Sequence, residues 1–513
     1  MQWINLLHFY QPYNQQDDIL LRIVNECYRP LIKGFTQYKK SKTLVNMNGA
    51  LTKLLLDRGY EDVINGLKLL ALEGIVEFTG SAMYHAFLPL LPENEIERQI
   101  KLNDEENKKY FGEVYKPDGF FSPEMAVNDK VLKVVKELGY KWLAAPELSY
   151  GTEEAGADKL YTGNDSGLFV FFRNKRVSAL ILGAVVRSGE DLLYETQDLQ
   201  KKNKYWFTVM DAETFGHHRI GYEKVLFELL ASHKLQSAYP SGLIKDVKEV
   251  EEVNLRPTTW TNQEQDFWLD RERTQYTESK SFILWKNPEN PIHNLQWQFV
   301  EFCLSTLGSC NDKDTDSWKN AREKMDKALA SDQFWWASAL PWWSLEMVEQ
   351  GAFALREVIY TGEFEAKTRE TAEKLYRDIV DQAFEWQRSG YIRRKHLENS
   401  STFMKDSFGV RTPPEWYNQI ILEFEDEMNK SARRQDFEKA IKWRDAIIKL
   451  NQGTDIYDVL HVVDELWAAR HIPSVKPFLE QKWEEFSDLA RESFKNVKTK
   501  EDFEKWVKES GRL

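Results

Sequence analysis

At 513 residues the chain exceeds the size at which one hydrophobic core usually stops growing, so two or three structural units are expected. A formal net charge of −13 argues against nucleic-acid binding, which rests on clustered Lys and Arg, and fits a neutral partner better. Cys27, Cys303 and Cys310 have no CxxC spacing, so neither a disulfide framework nor a thiolate zinc site is expected and a reducing compartment is the simplest home.

The opening MQWINLLHFYQPY has no basic segment ahead of a long apolar stretch, and nowhere do about 18 apolar residues run together. A cytoplasmic protein without membrane contact is the expectation. Short apolar runs predict buried strands at Trp3 to Leu7, around Leu44, at Ile75 to Phe78, Lys141 to Ala144, Leu168 to Arg173, Ala179 to Leu182 and Trp206 to Met210. Between them, Glu61 to Leu72 and Asp129 to Leu138 carry apolar residues at helical spacing, with Gly74 and Gly139 as C-caps. Strand–helix alternation means a parallel sheet, and over residues 1–290 it closes most economically as a TIM-like barrel. Residues 291–400 change to long helices, such as Asn294 to Leu307 and Asp314 to Leu329, expected to pack on the barrel and complete its site. Beyond Pro413-Pro414, residues 401–513 are charged and helical, with Arg433 to Leu450 as the clearest helix.

Polar residues gather where barrel strands should end, the face at which such folds do chemistry. Four segments show it: His8 to Pro12, Glu77 to Ser81 with His85, Gly119 to Glu124, and Asp211 to His218. Taken singly, a strand-end His is more often structural and an acidic residue before a helix is often an N-cap. Together they supply two carboxyls, Glu124 and Asp211, from different strands. Glycosidic bond cleavage needs such a pair, one group to protonate the leaving oxygen and one to attack or to activate water. The 18 Trp, 21 Tyr and 29 Phe fill cores, and they also suit the flat apolar faces of sugar rings.

These segments resemble the short signature regions of glycoside hydrolase family 57. His8-Phe9-Tyr10-Gln11-Pro12 is similar to the first region, with Tyr10 where another His is common; Glu77 to Ser81 with His85 resembles the second, Gly119 to Glu124 the third and Asp211-Ala212-Glu213-Thr214-Phe215-Gly216 the fourth. Ser331 to Trp336 is matched to the fifth. The resemblance implies an incomplete (β/α)7 barrel followed by a helical region, and a retaining enzyme of α-glucans acting on α-1,4 and also α-1,6 linkages. It further implies Glu124 as nucleophile and Asp211 as acid/base. Substrate-binding residues are expected at His8, Gln11, Glu77, His85, Phe121, Glu213, His217, His218, Asp332, Trp335 and Trp336, with no cofactor and no metal; Glu213 is expected to fix an imidazole, and Phe121, Trp335 and Trp336 to stack on sugars. Within the family, α-amylase, 4-α-glucanotransferase and branching enzyme remain alternatives.

Two readings of other classes compete. Several histidines with Asp211 and Glu213 could bind a divalent metal, as in carbohydrate deacetylases, although no HxxxH or HExxH spacing is present. A non-catalytic carbohydrate-binding scaffold has no need of both carboxyls. The stretch from Gln435 to Asp445 resembles the UVR motif, a helical hairpin that would offer a protein partner, or else pack on its own chain through Phe437, Ala440, Ile441, Ile447 and Ile448.

Overall fold

The computed structural model describes residues 1–451 apart from 152–154, 164–165, 184–185, 187, 220, 247, 262–280, 341 and 400–413. Ten strands form one sheet: β1 Gln2–Phe9, β2 Thr43–Met47, β3 Val76–Gly80, β4 Gly119–Phe120, β5 Trp142–Ala145, β6 Leu160–Gly163, β7 Leu168–Phe172, β8 Tyr205–Asp211, β9 Gln236–Ser237 and β10 Val250–Val253. Their order is β10-β6-β7-β5-β4-β3-β2-β1-β8, with β9 beside β1. The seven strands from β7 to β8 pair in parallel, and β6 runs antiparallel to β7. This is the incomplete (β/α)7 barrel of the sequence reading.

Burial explains why the strands read as apolar runs: β2 is buried at every position and β1 at all but its first. Alternate residues fill two layers. Ile4, Leu6, Leu44, Trp142, Phe171, Phe207 and Val209 share the barrel interior, while Trp3, Leu7, Val45, Phe78 and Trp206 face the surrounding helices. Among the described residues the sheet has no ladder between β7 and β8. At that seam the Asn174 N–H donates to the Phe207 carbonyl (2.7 Å) and Arg173 Nε to the Val209 carbonyl (3.0 Å).

The Glu61–Leu72 and Asp129–Glu137 helices form as expected, and Gly74 (φ 72°) and Gly139 (φ 90°) follow them in the left-handed conformation. Ala179 to Leu182, predicted as a strand, belongs instead to the Lys175–Leu182 helix. The Asn174 side chain caps it by accepting from the Val177 N–H (2.9 Å), and Val177, Leu180 and Ile181 are buried at helical spacing. A four-residue apolar window could not reveal that period. The two-residue β4 and the peripheral β6, β9 and β10 lay outside the predicted strands.

Helices Pro291–Gly308, Asp316–Ala328, Leu345–Thr361 and Ala366–Arg388 continue one apolar core with the barrel, in which Phe120, Leu143 and Val170 join Trp297, Val300, Val348 and Ile379. Asn290 opens this region by accepting from the Ile292 and His293 N–H groups, with Pro291 in the first turn. The predicted Arg433 to Leu450 helix is divided: Gln435 (φ 63°) turns the chain between helices Pro414–Arg433 and Phe437–Asn451. Trp443, Ala446 and Leu450 pack on Phe424 in this hairpin, whereas Phe437, Ile441 and Ile448 of the predicted packing set are exposed. Residues 452–513 of the charged region lie outside the described residues. Among the described residues no helix is long and apolar enough to cross a membrane.

Candidate active site

The parallel register brings a polar row to the C-terminal rim of the barrel. Asp211 pairs with His8, His8 with Asn46, Asn46 with Thr79 and Thr79 with Gly119, so neighbouring strands set these side chains side by side. Asn46 Nδ2 donates to Thr79 Oγ1 (3.0 Å) and the Gly80 carbonyl (3.3 Å), which leaves its Oδ1 to accept from His8 Nδ1 (2.7 Å). The His8 proton is thereby fixed on Nδ1 and Nε2 is an acceptor. Burial pushes the His8 imidazole down to about 4, against the rise caused by Asn46, so the ring is neutral near pH 7.

Glu124 follows β4 in a single turn spanning Pro123–Met125. Its backbone is left-handed (φ 59°, ψ 20°), a conformation that costs a non-glycine residue roughly 1–3 kcal/mol and persists only where its surroundings enforce it. They do so here. The Glu124 carbonyl accepts from Thr259 Oγ1 (2.5 Å) and the Trp260 N–H (3.3 Å), while the Trp260 indole Nε1 donates to Glu124 Oε2 (2.8 Å). Burial lifts the Glu124 carboxyl to about 8; the Trp260 bond lowers it, and the Asp211 and Asp332 charges raise it further. Asp211, at the end of β8, is lifted by burial to about 6 and held down by the Arg173 guanidinium. Arg173 also lies over the Trp260 ring (5.7 Å), so the partner of Asp211 rests on the partner of Glu124.

Above the row, His85 (φ 56°) stacks on Tyr10 (3.8 Å) and on His8 (5.3 Å). Its Nδ1 meets Ser331 Oγ (3.0 Å) and lies 4.0 Å from Glu124 Oε1, and its buried Nε2 has no partner among the described residues. The Tyr10 hydroxyl donates to Asp332. A buried ion-pair network sets the chain that carries Asp332: Arg98 and Arg322 both bind Asp326 (2.7 Å each), Arg322 also holds Glu95, and Gln99 Nε2 donates to the Asp326 carbonyl (3.1 Å). Such a network costs desolvation and returns a defined register between the Glu93–Phe111 and Asp316–Ala328 helices.

Of the residues expected at the site, the structure gathers His8, His85, Glu124, Asp211 and Asp332 at this rim. Glu213 has a different partner set from the imidazole expected for it. Its Oε1 accepts from Tyr28 Oη (2.5 Å), the Tyr10 N–H (3.2 Å) and Gln11 Nε2 (3.3 Å), so Glu213 and Gln11 anchor the segment after β1. His217 turns to Glu26 (2.7 Å), with His218 beside it (5.5 Å between rings). Gly216 permits this fold-back, because a Cβ there would lie 1.9 Å from the Glu26 carbonyl oxygen. Phe121 is wholly buried behind His8 (4.7 Å) and Trp260 (5.7 Å), which corrects the expectation that it stacks on a ligand. Glu77 sits one interior layer lower, level with Leu44 and Leu6, among Asp118, Lys141 and Lys42 near the strand starts. Trp335 and Trp336 join an aromatic cluster with Trp285 and Trp342.

Sequence reasoning missed Trp260, Thr259, Arg173, Asn46 and Tyr28. Asn46 and Arg173 had a usable signal, a polar residue at the C-terminal end of a predicted strand; Trp260 had none. Among the described residues no group of three or more His, Cys, Asp or Glu is gathered so as to hold a metal ion.

Comparison with known proteins bears on the family and the fold. The sequence pattern of glycosyl hydrolase family 57 matches residues 3–256, and that of the UvrB/UvrC motif matches residues 418–453. An α-amylase of Pyrococcus horikoshii is 25% identical over 227 residues, covering 42% of this chain and 35% of its own length. The α-amylase 1 of Dictyoglomus thermophilum is 25% identical over 236 residues, covering 44% and 34%. The chain thus spans about a third of the length of these relatives. Among solved structures, 4-α-glucanotransferase from Thermococcus litoralis superposes with a TM-score of 0.57 at 16% identity, over 70% of this chain and 59% of that one. A family 57 branching enzyme from Thermococcus kodakaraensis gives 0.55 at 15% identity, over 74% and 95%. These likenesses establish the fold.

Proposed function

We propose that this chain, which belongs to glycosyl hydrolase family 57 across residues 3–256, acts on α-glucans by double displacement, with Glu124 as nucleophile and Asp211 as general acid/base. The observation that carries the reading is two half-buried carboxyls from separate strand ends, each raised by the desolvation it meets there, with the Asp211 charge acting on Glu124. A pair that holds one proton between them near neutrality can supply an attacking carboxylate and a proton donor at once.

In the first step Glu124 attacks the anomeric carbon while Asp211 protonates the departing oxygen; in the second, Asp211 takes a proton from the incoming water or sugar hydroxyl. Trp260 orients Glu124, and Arg173 favours the ionised Asp211 that the second step requires. His8 Nε2 and the unpaired His85 Nε2 are available to substrate hydroxyls. Hydrolysis, of α-1,4 linkages first, is the reading supported by the likeness to α-amylases; transfer to a sugar acceptor or branching is the alternative chemistry of the same intermediate. Product analysis on amylose, maltooligosaccharides and pullulan separates them. A cytoplasmic setting, and a protein partner for the UVR-like hairpin, complete the proposal.

One observation favours the opposite assignment of roles: Glu124, at about 8, holds its proton more tightly than Asp211, at about 6. The test uses Glu124→Ala and Asp211→Ala against starch and an activated aryl α-glycoside. With Glu124 gone both substrates should stall, whereas Asp211→Ala should spare the aryl glycoside, whose leaving group needs no proton. The converse pattern reverses the assignment.

A further inference from the structure

A groove of about 520 Å³ lies between the 12–16 loop and the Leu345–Thr361 helix, outside the rim just described. Such a volume lies within the range of small-ligand sites. Its walls combine aromatic faces and amides: Tyr13 and Phe353 with Asn14, Gln15 and Gln350. Phe353 is 44% exposed for so large an apolar ring, and its position is fixed by Arg356 (5.7 Å) and the edge of Tyr376 (6.3 Å). The charged residues of the wall are already engaged. Lys324 pairs with Glu357 (3.5 Å), Lys327 with Glu323 (2.7 Å), Glu349 accepts from Tyr376 (2.7 Å) and Glu346 from Gln350 (3.0 Å). An ionic ligand would find little unspent charge there; a neutral one with apolar faces and many hydroxyls would find both stacking surface and amide partners.

The groove does not end blindly. A smaller adjoining cavity of about 40 Å³ shares Tyr13, Asn14 and Gln350 with it and is also lined by Asp332, the acceptor of the Tyr10 hydroxyl at the rim. We propose that this groove is a second carbohydrate-binding site, which holds the arm of an α-glucan chain extending past the catalytic pair by way of Tyr13 and Asp332. The proposal rests on the α-glucan reading of the site and adds a preference for long chains. Asn14 Nδ2 donates to Gln350 Oε1 (3.3 Å), so the two walls are tied and the groove is preformed.

The experiment compares amylose with 4-nitrophenyl α-maltoside, too short to reach the groove. Phe353→Ala removes an exposed stacking face, and Asn14→Trp, at an exposed loop position, fills the mouth without entering the core. Both should raise KM for amylose roughly tenfold while leaving kcat, and all constants for the maltoside, unchanged. Retardation of each protein by amylose in a native gel reads binding without turnover. Unchanged KM and retardation in both variants, or equal losses on both substrates, would overturn the groove. A parent protein that neither cleaves nor is retarded by amylose rejects the α-glucan reading itself.

Discussion

Two successive layers of the barrel interior each hold a carboxyl that burial lifts toward neutrality, and only one has the surroundings of a reactive site. At the rim, Glu124 and Asp211 are met by an indole N–H, a guanidinium, two neutral imidazoles and a second aspartate. One layer down, Glu77 is lifted to about 7 by burial with the Asp118 charge adding to it and Lys141 and Lys42 opposing it, and its Oε1 has no hydrogen-bond partner among the described residues. A shifted proton affinity alone therefore does not mark chemistry. What distinguishes the rim is convergence: several strands deliver oriented donors to one place.

The comparison can be broken most directly at Trp260. Trp260→Phe keeps the aromatic bulk and removes the indole N–H that donates to Glu124, which should cost about 1.5–3 kcal/mol, the worth of a hydrogen bond to a charged group, and so lower kcat at least tenfold. Because that bond lowers the Glu124 proton affinity, the alkaline limb of the pH–rate profile should also move upward. A variant with normal kcat and an unmoved limb would leave the rim no better organised than the layer below.

The parent profile is a second test. Below about 6 both rim carboxyls hold protons and the nucleophile is lost; above about 8 both are ionised and the acid is lost. A bell in kcat/KM with limbs near those values is expected. The limbs belong to the coupled pair and do not by themselves say which residue carries the proton. A profile flat from pH 5 to 9 would contradict the shared proton.

The smallest effect is expected at Glu77. Its folded-state proton affinity is raised, so the stability linked to it is fully present below about 4.5 and is lost as pH rises through about 7. Glu77→Gln removes the charge that must form there. It should match the parent at pH 4.5 and exceed it by roughly 1–2 kcal/mol at pH 8, after discounting for partial exposure, with kcat unchanged. Thermal melts across this range, beside activity at pH 7, check both halves. A collapse of kcat in this variant would move Glu77 into the site.

The sequence made much of the rim legible and little of its supports. Asp211, His8 and Glu124 stood at the ends of apolar runs, where alternation and barrel geometry leave few roles for a polar side chain. Glu77, expected among the site residues, occupies the same strand as Thr79, two residues earlier; in a parallel barrel that offset separates the rim from the layer beneath, a distinction the sequence pattern does not carry. Trp260 reaches Glu124 across 136 residues, and no local pattern reports such a contact. In the C-terminal hairpin the helical period was read correctly but in the wrong phase. Phe437, Ile441 and Ile448 share one helical stripe, yet Trp443 offers more area to bury and turns the helix onto Phe424 instead.

The seam between β7 and β8 joins two properties that are usually separate. Arg173 spans it with its Nε on the Val209 carbonyl while its charge steadies Asp211 on the same strand. The guanidinium is thus a latch and an electrostatic ballast at once. Any breathing of the wall that draws β7 from β8 carries the cation away from Asp211 and leaves that carboxyl easier to protonate, so the seam's opening and the site's proton inventory share one side chain.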